Sequence, residues 1–265
     1  MDGLLAALNK LPALPEAVRE VIASFDAPRL DSHELADKIS RDQGMSARML
    51  RMANSPFYGL PRQVSSIREA VVVLGFSSVR SLALAAGISG VFGSGGAAFS
   101  WSDYWKRCML AGVYARSLAK CLKLDPETAF SAGLFHDIGL AVLACCAPER
   151  LAEARAKAGE GDLLAAERAV LGFDHAQLGG EVARRWNFPP VIERAIRAHH
   201  GAAAGDDPLL LVVRAAHLLA LAPSGEAECL PEPLRDALGL DAERLRACLP
   251  RWEEALAASS ALLGA

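Results

Sequence analysis

The sequence predicts an all-α protein built as two helical subdomains. Three observations carry this. Alanine and leucine dominate the apolar residues while aromatics are only 6%, and both residue types keep helix-compatible rotamers. Helix-capping patterns recur along the chain. No strand-like alternation of five or more residues stands out.

The elements follow in order. Asp31-Ser-His-Glu34 reads as a capping box ahead of Leu35 and Ile39. Ser46 is expected to cap a helix from Ala47 to Ala53. Ser66-Ile-Arg-Glu69 is a second capping box, leading into Ala70 to Leu74, and Gly75 stops that helix. The β-branched run Val71-Val72-Val73 inside it is read as a buried helical stripe. Ser77 or Ser78 starts the next helix, to about Phe92. Gly93-Ser-Gly-Gly-Ala-Ala98 then breaks the composition, because glycines hold a helix poorly. A boundary there gives domains 1–98 and 99–265. Asp125-Pro126 and Asp207-Pro208 each place a capping carboxylate before a proline suited to the first helical position. A helix beginning near Pro189 ends at His199-His200, with a loop from Gly201 to Asp207. A helical extension begins at Leu230.

With 52% hydrophobic and 22% charged residues among 265, global disorder is excluded. Twenty-eight basic residues against 31 acidic ones give a net charge of −3, unlike the basic excess of a nucleic-acid binder. A helix-turn-helix over Leu35 to Asn54, with Arg48 and Arg51 on the second helix, fails because the turn is long and Asp42 would face phosphates. The expectation is no nucleic-acid partner. No apolar stretch reads as a membrane span, the best candidate being Leu82 to Phe92. The start, MDGLLAALNKLPALP, lacks a secretory pattern. A cytoplasmic location follows, with the six cysteines reduced and mostly buried.

The sharpest chemical feature is Gly133-Leu-Phe-His136-Asp137-Ile-Gly139. A histidine beside an aspartate offers a neutral nitrogen and an anionic oxygen, a mix suited to divalent transition metals. Leu134, Phe135 and Ile138 argue for burial, and a buried carboxylate needs a partner. The glycine after the pair allows close approach of another backbone. Of the six histidines, all but His33 fall after the glycine break: His136, His175, His199, His200 and His217. His175 lies at a helix start and His217 within a helix. Their clustering beside an acid suggests one shared site.

The order His136-Asp137, His175 with Gly179, then His199-His200 resembles the HD superfamily of metal-dependent phosphohydrolases, above all its HD-GYP branch. The first half resembles something more specific. Leu11-Pro-Ala-Leu-Pro15, Leu50-Arg-Met-Ala-Asn54-Ser55-Pro-Phe-Tyr58-Gly59, Val64-Ser-Ser-Ile-Arg-Glu-Ala70 and Leu74-Gly75 together resemble the HDOD domain, an HD-related output domain of bacterial signalling proteins. The resemblance implies that the second subdomain is a degenerate HD-like bundle.

The departures from the active pattern bear on chemistry. By the resemblance, Arg107 stands where the first metal-binding histidine would be, His217 where the last metal-binding aspartate would be, and Leu140 where active enzymes often carry lysine. No GYP segment follows His200. A divalent ion ~4 Å from a guanidinium is repelled by about 8 kcal/mol at an effective dielectric of 20, and without two metals phosphodiester hydrolysis loses its main stabilisation. The vestigial cleft of Arg107, His136, Asp137, His175, His199, His200 and His217 is therefore expected to be a polar network without metal, in which Arg107 can pair with Asp137. If one divalent metal binds, its ligands are Asp137, His175, His199 and His200. Asn54, Ser55, Tyr58 and Gly59 are read as an architectural motif locking the junction of the subdomains. The implied function is a non-catalytic, cytoplasmic signal-transduction module that binds a signalling protein partner. The competing readings are a metal-dependent phosphohydrolase and a nucleotide sensor in which Arg107 grips a phosphate. No membrane association is expected.

Overall fold

A computed structural model describes residues 9, 11–25, 32–55, 58–92, 99–159, 161–201, 207–222 and 227–263. Among these residues the chain is helical, with no strand. In chain order the helices are α1 (Glu16–Ala23), α2 (Ser32–Arg41), α3 (Gln43–Ala53), α4 (Ile67–Leu74), α5 (Phe76–Val91), α6 (Trp101–Cys121), α7 (Pro126–Phe135), α8 (Ile138–Cys146), α9 (Pro148–Ala158), α10 (Leu163–Leu171), α11 (His175–Arg185), α12 (Pro190–Ala198), α13 (Pro208–Leu221), α14 (Glu232–Leu238), α15 (Ala242–Cys248) and α16 (Trp252–Leu263).

Local chemistry explains most boundaries. The Ser66 hydroxyl accepts from Glu69 N at 3.1 Å to start α4, and Gly75 at φ 84° ends it. Asp125 and Asp207 cap α7 and α13, each ahead of a proline. Three expectations need correction. Asp42, not Ser46, caps α3 by accepting from Met45 N at 2.9 Å; the Ser46 hydroxyl instead donates to Ile39 O. The next helix begins at Phe76, with Ser78 turned inward to Glu127. The valines of α4 are not a buried stripe: Val72 is 79% exposed, because α4 buries only Ile67 and Ala70. Asp31 and the 93–98 break lie outside the described residues, as does most of the 201–207 loop.

One apolar core runs from Leu14 to Ala255. Its centre is α6, packed against α7, α13 and α16. Helix α5 joins α1 and α3 on one side and α7 on the other, while α16 touches both α3 and α6. The contact between α5 and α7 carries a polar seam. Arg116 meets Glu127 at 2.6 Å, both nearly buried, and Glu127 also accepts from Ser78 of α5 at 3.3 Å. Tyr58 lies under the Arg116 guanidinium, 5.0 Å from ring centre to charge, so this residue of the motif does reach across. Asn54 acts locally. Its side chain donates to Val64 O at 2.9 Å and accepts from Val64 N at 2.7 Å, pinning the chain that returns to α4. Ser55 is buried beside it, and Gly59 turns at φ 57° on the surface.

Two further expectations are overturned. Cys121 and Cys248 form a disulfide between the ends of α6 and α15, and Cys145 and Cys229 are exposed, so the cysteines are neither all reduced nor mostly buried. Among the described residues the longest apolar helical stretch is 126–146 rather than Leu82 to Phe92; it is long and apolar enough to cross a membrane by length and composition alone, and 89% of its most apolar window is buried inside the fold.

Candidate functional site: a histidine–aspartate centre

The break inside that apolar stretch builds the site. His136 ends α7 and Asp137 precedes α8. An aspartate at this position normally caps the following helix, but Asp137 makes no capping bond. Its carboxylate, 5% exposed as a residue, turns to the histidines instead. It lies 3.4 Å from His136 Nε2, 3.4 Å from His175 Nε2 and 3.2 Å from His199 Nε2.

Each histidine comes from a helix end or a helix face. Asp174 and Gln177 form a capping box that starts α11 with His175. Gly139 in α8 lets the two segments touch, since a Cβ there would fall on the His175 carbonyl oxygen. His199 and His200 follow the last turn of α12, and His217 faces inward from α13.

The rings are held in one sense. His136 Nδ1 donates to Gly133 O at 2.6 Å, His199 Nδ1 donates to Ile196 O at 2.7 Å, and His175 Nδ1 donates to Glu167 Oε2 at 2.7 Å. All three therefore present Nε2 to the centre. Anchoring the outer ring nitrogen on a carbonyl or carboxylate is how metal-ligating histidines are oriented. His217 Nδ1 and His136 Nε2 lie 2.8 Å apart, and His175 Nε2 meets His200 Nε2 at 2.9 Å.

Electrostatics divide the rings. Burial alone would lower the pKa of His175, but the Asp137 and Glu167 carboxylates push it up to about 10. Burial lowers the pKa of His199; burial with the neighbouring imidazoles lowers that of His200 to about 3 and that of His217 well below its ordinary value. Asp137 is held ionised against its own burial, first by His136. The centre is thus one carboxylate among mostly neutral imidazoles.

These residues fit a divalent cation. His199 Nε2 and Asp137 Oδ1 are both buried acceptors without a hydrogen-bond partner, facing each other at 3.2 Å. Two sets of ligand atoms lie within 4.8 Å of one another: His136, Asp137, His199 and His217, and Asp137, His175, His199 and His200. The second is the set expected from sequence. A mixture of imidazole and one carboxylate suits zinc or a similar ion.

The structure brings six of the seven expected cleft residues into contact. Arg107 stands apart: it lines the same cleft from α6 but is not in ion-pair reach of Asp137. Sequence reasoning missed Glu167, fully buried in α10, which accepts from both the backbone N and the ring of His175. Its signal was the one acid in a largely apolar helix, Leu163-Leu-Ala-Ala-Glu-Arg-Ala-Val-Leu171. It also missed Arg155, one cation among many on α9, which lines the cleft.

A profile of the HDOD domain matches residues 11–202. The chain belongs to the HDOD domain family. That HDOD family is related to HD phosphohydrolases. A Shewanella amazonensis protein of known crystal structure is similar over 98% of both chains, with 26% identity and a TM-score of 0.82. An HDOD domain protein of unknown function from Geobacter sulfurreducens shares the fold over 93% of both chains, at 24% identity and a TM-score of 0.79. An uncharacterised protein of Treponema pallidum is 24% identical over 246 residues, 89% of this chain. Ribonuclease Y of Chlorobium luteolum is 33% identical over 117 residues, 44% of this chain. The chain spans 48% of the Treponema protein and 17% of the ribonuclease.

Proposed function

We propose that this HDOD chain is a non-catalytic signal-transduction module. Its histidine–aspartate centre binds rather than hydrolyses, and its output is contact with a signalling protein partner in the cytoplasm, without nucleic acid or membrane. One observation carries the reading: the two candidate ligand sets share their single carboxylate, Asp137, and also His199. A two-metal phosphodiesterase clamps the attacking and leaving oxygens with two cations. Here one negative charge would serve both, beside Arg107, and the nearby Glu167 is committed to His175. One cation is the most this donor set supports, held by Asp137, His175, His199 and His200. Such an ion supplies Lewis acidity when bound; the chain's residues place no second ion opposite it. Leu140, buried at 5% exposure, offers no proton where active relatives often carry a lysine.

The likeness to ribonuclease Y favours the competing reading, phosphodiester hydrolysis. Elemental analysis of the purified chain, with assays of bis-p-nitrophenyl phosphate and a cyclic dinucleotide in added Mn²⁺, decides between them. The expected result is no more than one metal per chain and no turnover dependent on His136. Steady turnover that His136→Ala abolishes would overturn the proposal.

A further inference from the structure

The mouth of the centre opens into a cleft of about 310 Å³. Two guanidiniums line it, Arg107 from α6 and Arg155 from α9. Among the described residues, neither has a carboxylate within 4.0 Å. The Arg155 guanidinium rests over the Phe99 ring, 5.0 Å from its centre, a stacking that holds its plane and leaves its in-plane N–H donors for other partners. Both are half-buried; burial and the charge of Arg107 lower the pKa of Arg155, and the more distant carboxylates of Glu167 and Asp137 offset this only in part.

Two cations without a contacting carboxylate that share one half-buried cleft repel each other and lose hydration, and an anion held between them would relieve both terms. The nearby acids do not serve. Asp162 accepts from Ala165 N as the cap of α10. Asp137 faces the histidines, and Glu167 holds His175. The lining also includes the apolar Leu140, Leu163, Leu164 and Leu221; the last is 56% exposed. The volume lies at the low end of small-molecule sites.

We propose that Arg107 and Arg155 form an anion clamp for a phosphate monoester with a compact apolar or aromatic body, the lining leucines taking the body. This rests on the cleft being a binding site rather than a hydrolytic one. Guanidinium forks suit phosphate because they offer paired donors in one plane. A cleft of this volume suits mononucleotide-sized monoesters.

The test is calorimetry on the full chain with phenyl phosphate, inorganic phosphate and phenol as probes, alongside assay of released phosphate. Phenyl phosphate is expected to bind at least tenfold tighter than inorganic phosphate, and phenol not to bind. Arg107→Gln and Arg155→Gln are each expected to weaken phenyl phosphate at least tenfold, while Lys157→Gln, an exposed cation on the same helix, changes nothing. Arg155→Lys keeps the charge and the stem, and guards against a Gln variant that fails to fold; it is expected to weaken binding less than Gln does. Equal binding of phenol and phenyl phosphate, or losses in both Arg155 variants no larger than in Lys157→Gln, would overturn the clamp. Tight inorganic phosphate binding with no gain from the phenyl group would overturn the apolar half of the assignment. Arginine-dependent binding accompanied by hydrolysis supports the clamp and sinks the non-catalytic reading; no binding and no hydrolysis does the reverse.

Discussion

At the residue scale, the centre depends on atoms that no ligand would touch. Glu167 fixes which nitrogen of His175 faces inward and, after Asp137, helps push that ring's pKa up to about 10. Glu167→Gln removes the charge while preserving shape. Its expected effect is a ten- to hundredfold loss of zinc affinity, the usual scale for an outer-shell carboxylate, read by competition with a chelating dye; unchanged affinity would show that Glu167 only packs. Asp137→Ala strands the buried histidine cluster without its shared acid and is expected to cost about 3–5 kcal/mol in urea unfolding. A melt matching the unaltered chain would remove Asp137 from the centre of the site. The histidines and Asp137 were legible in the sequence because their residue types announce chemistry. Glu167 and Arg155 were not, because glutamates and arginines are ordinary on helices and only packing tells an inward one from a solvated one. The expected Arg107–Asp137 pair failed for the same reason: the resemblance placed Arg107 by helix position, and helix position does not say where a long side chain ends.

At the element scale, two close approaches set the geometry. Helices α8 and α11 touch through Gly139, where any Cβ would meet the His175 carbonyl and, at 2.9 Å, Gly179 N. Both obstacles are backbone and cannot swing aside. Gly139→Ala is expected to cost about 1–3 kcal/mol and to weaken metal retention as well, since His175 is what it displaces; thermal melts with and without zinc measure both. Loss of stability with full retention of zinc would mean that the centre tolerates movement of α11. The second approach is the Asn54 bracket on Val64. Asn54→Ala leaves the Val64 N and O without their partner, an expected loss of about 1–2 kcal/mol by urea titration. If stability holds while partner binding disappears, the motif is a recognition surface. Helix starts were legible at Ser66, Asp125 and Asp207, whereas Ser46 and Ser78 turned their hydroxyls to other partners. The valines of α4 were misread because capping reports that a helix exists and says nothing of which face is covered.

For the whole molecule, the bridge from Cys121 to Cys248 ties the C-terminal helices to α6 across a separation of 127 residues. Closing so long a loop restricts the unfolded chain most. Reduction is therefore expected to lower unfolding stability by about 2–4 kcal/mol, measured by urea titration with and without dithiothreitol, and Cys248→Ser is expected to be indifferent to the reductant. Equal stability of the oxidised and reduced chain would show that packing of α16 on α3 and α6 already holds that end. The pairing was illegible because cysteine spacing alone cannot say which thiols meet. The apolar stretch at 126–146 has a consequence of another kind, for the chain as it is made. Its covers include α12 and α13, which begin at Pro190 and Pro208. Synthesis proceeds at ~5–20 residues per second. For several seconds, then, a ribosome displays an oily segment whose lid has not been translated. The order in which the gene is read thus hands that segment to whatever holds nascent chains before its own histidine-bearing helices can close over it.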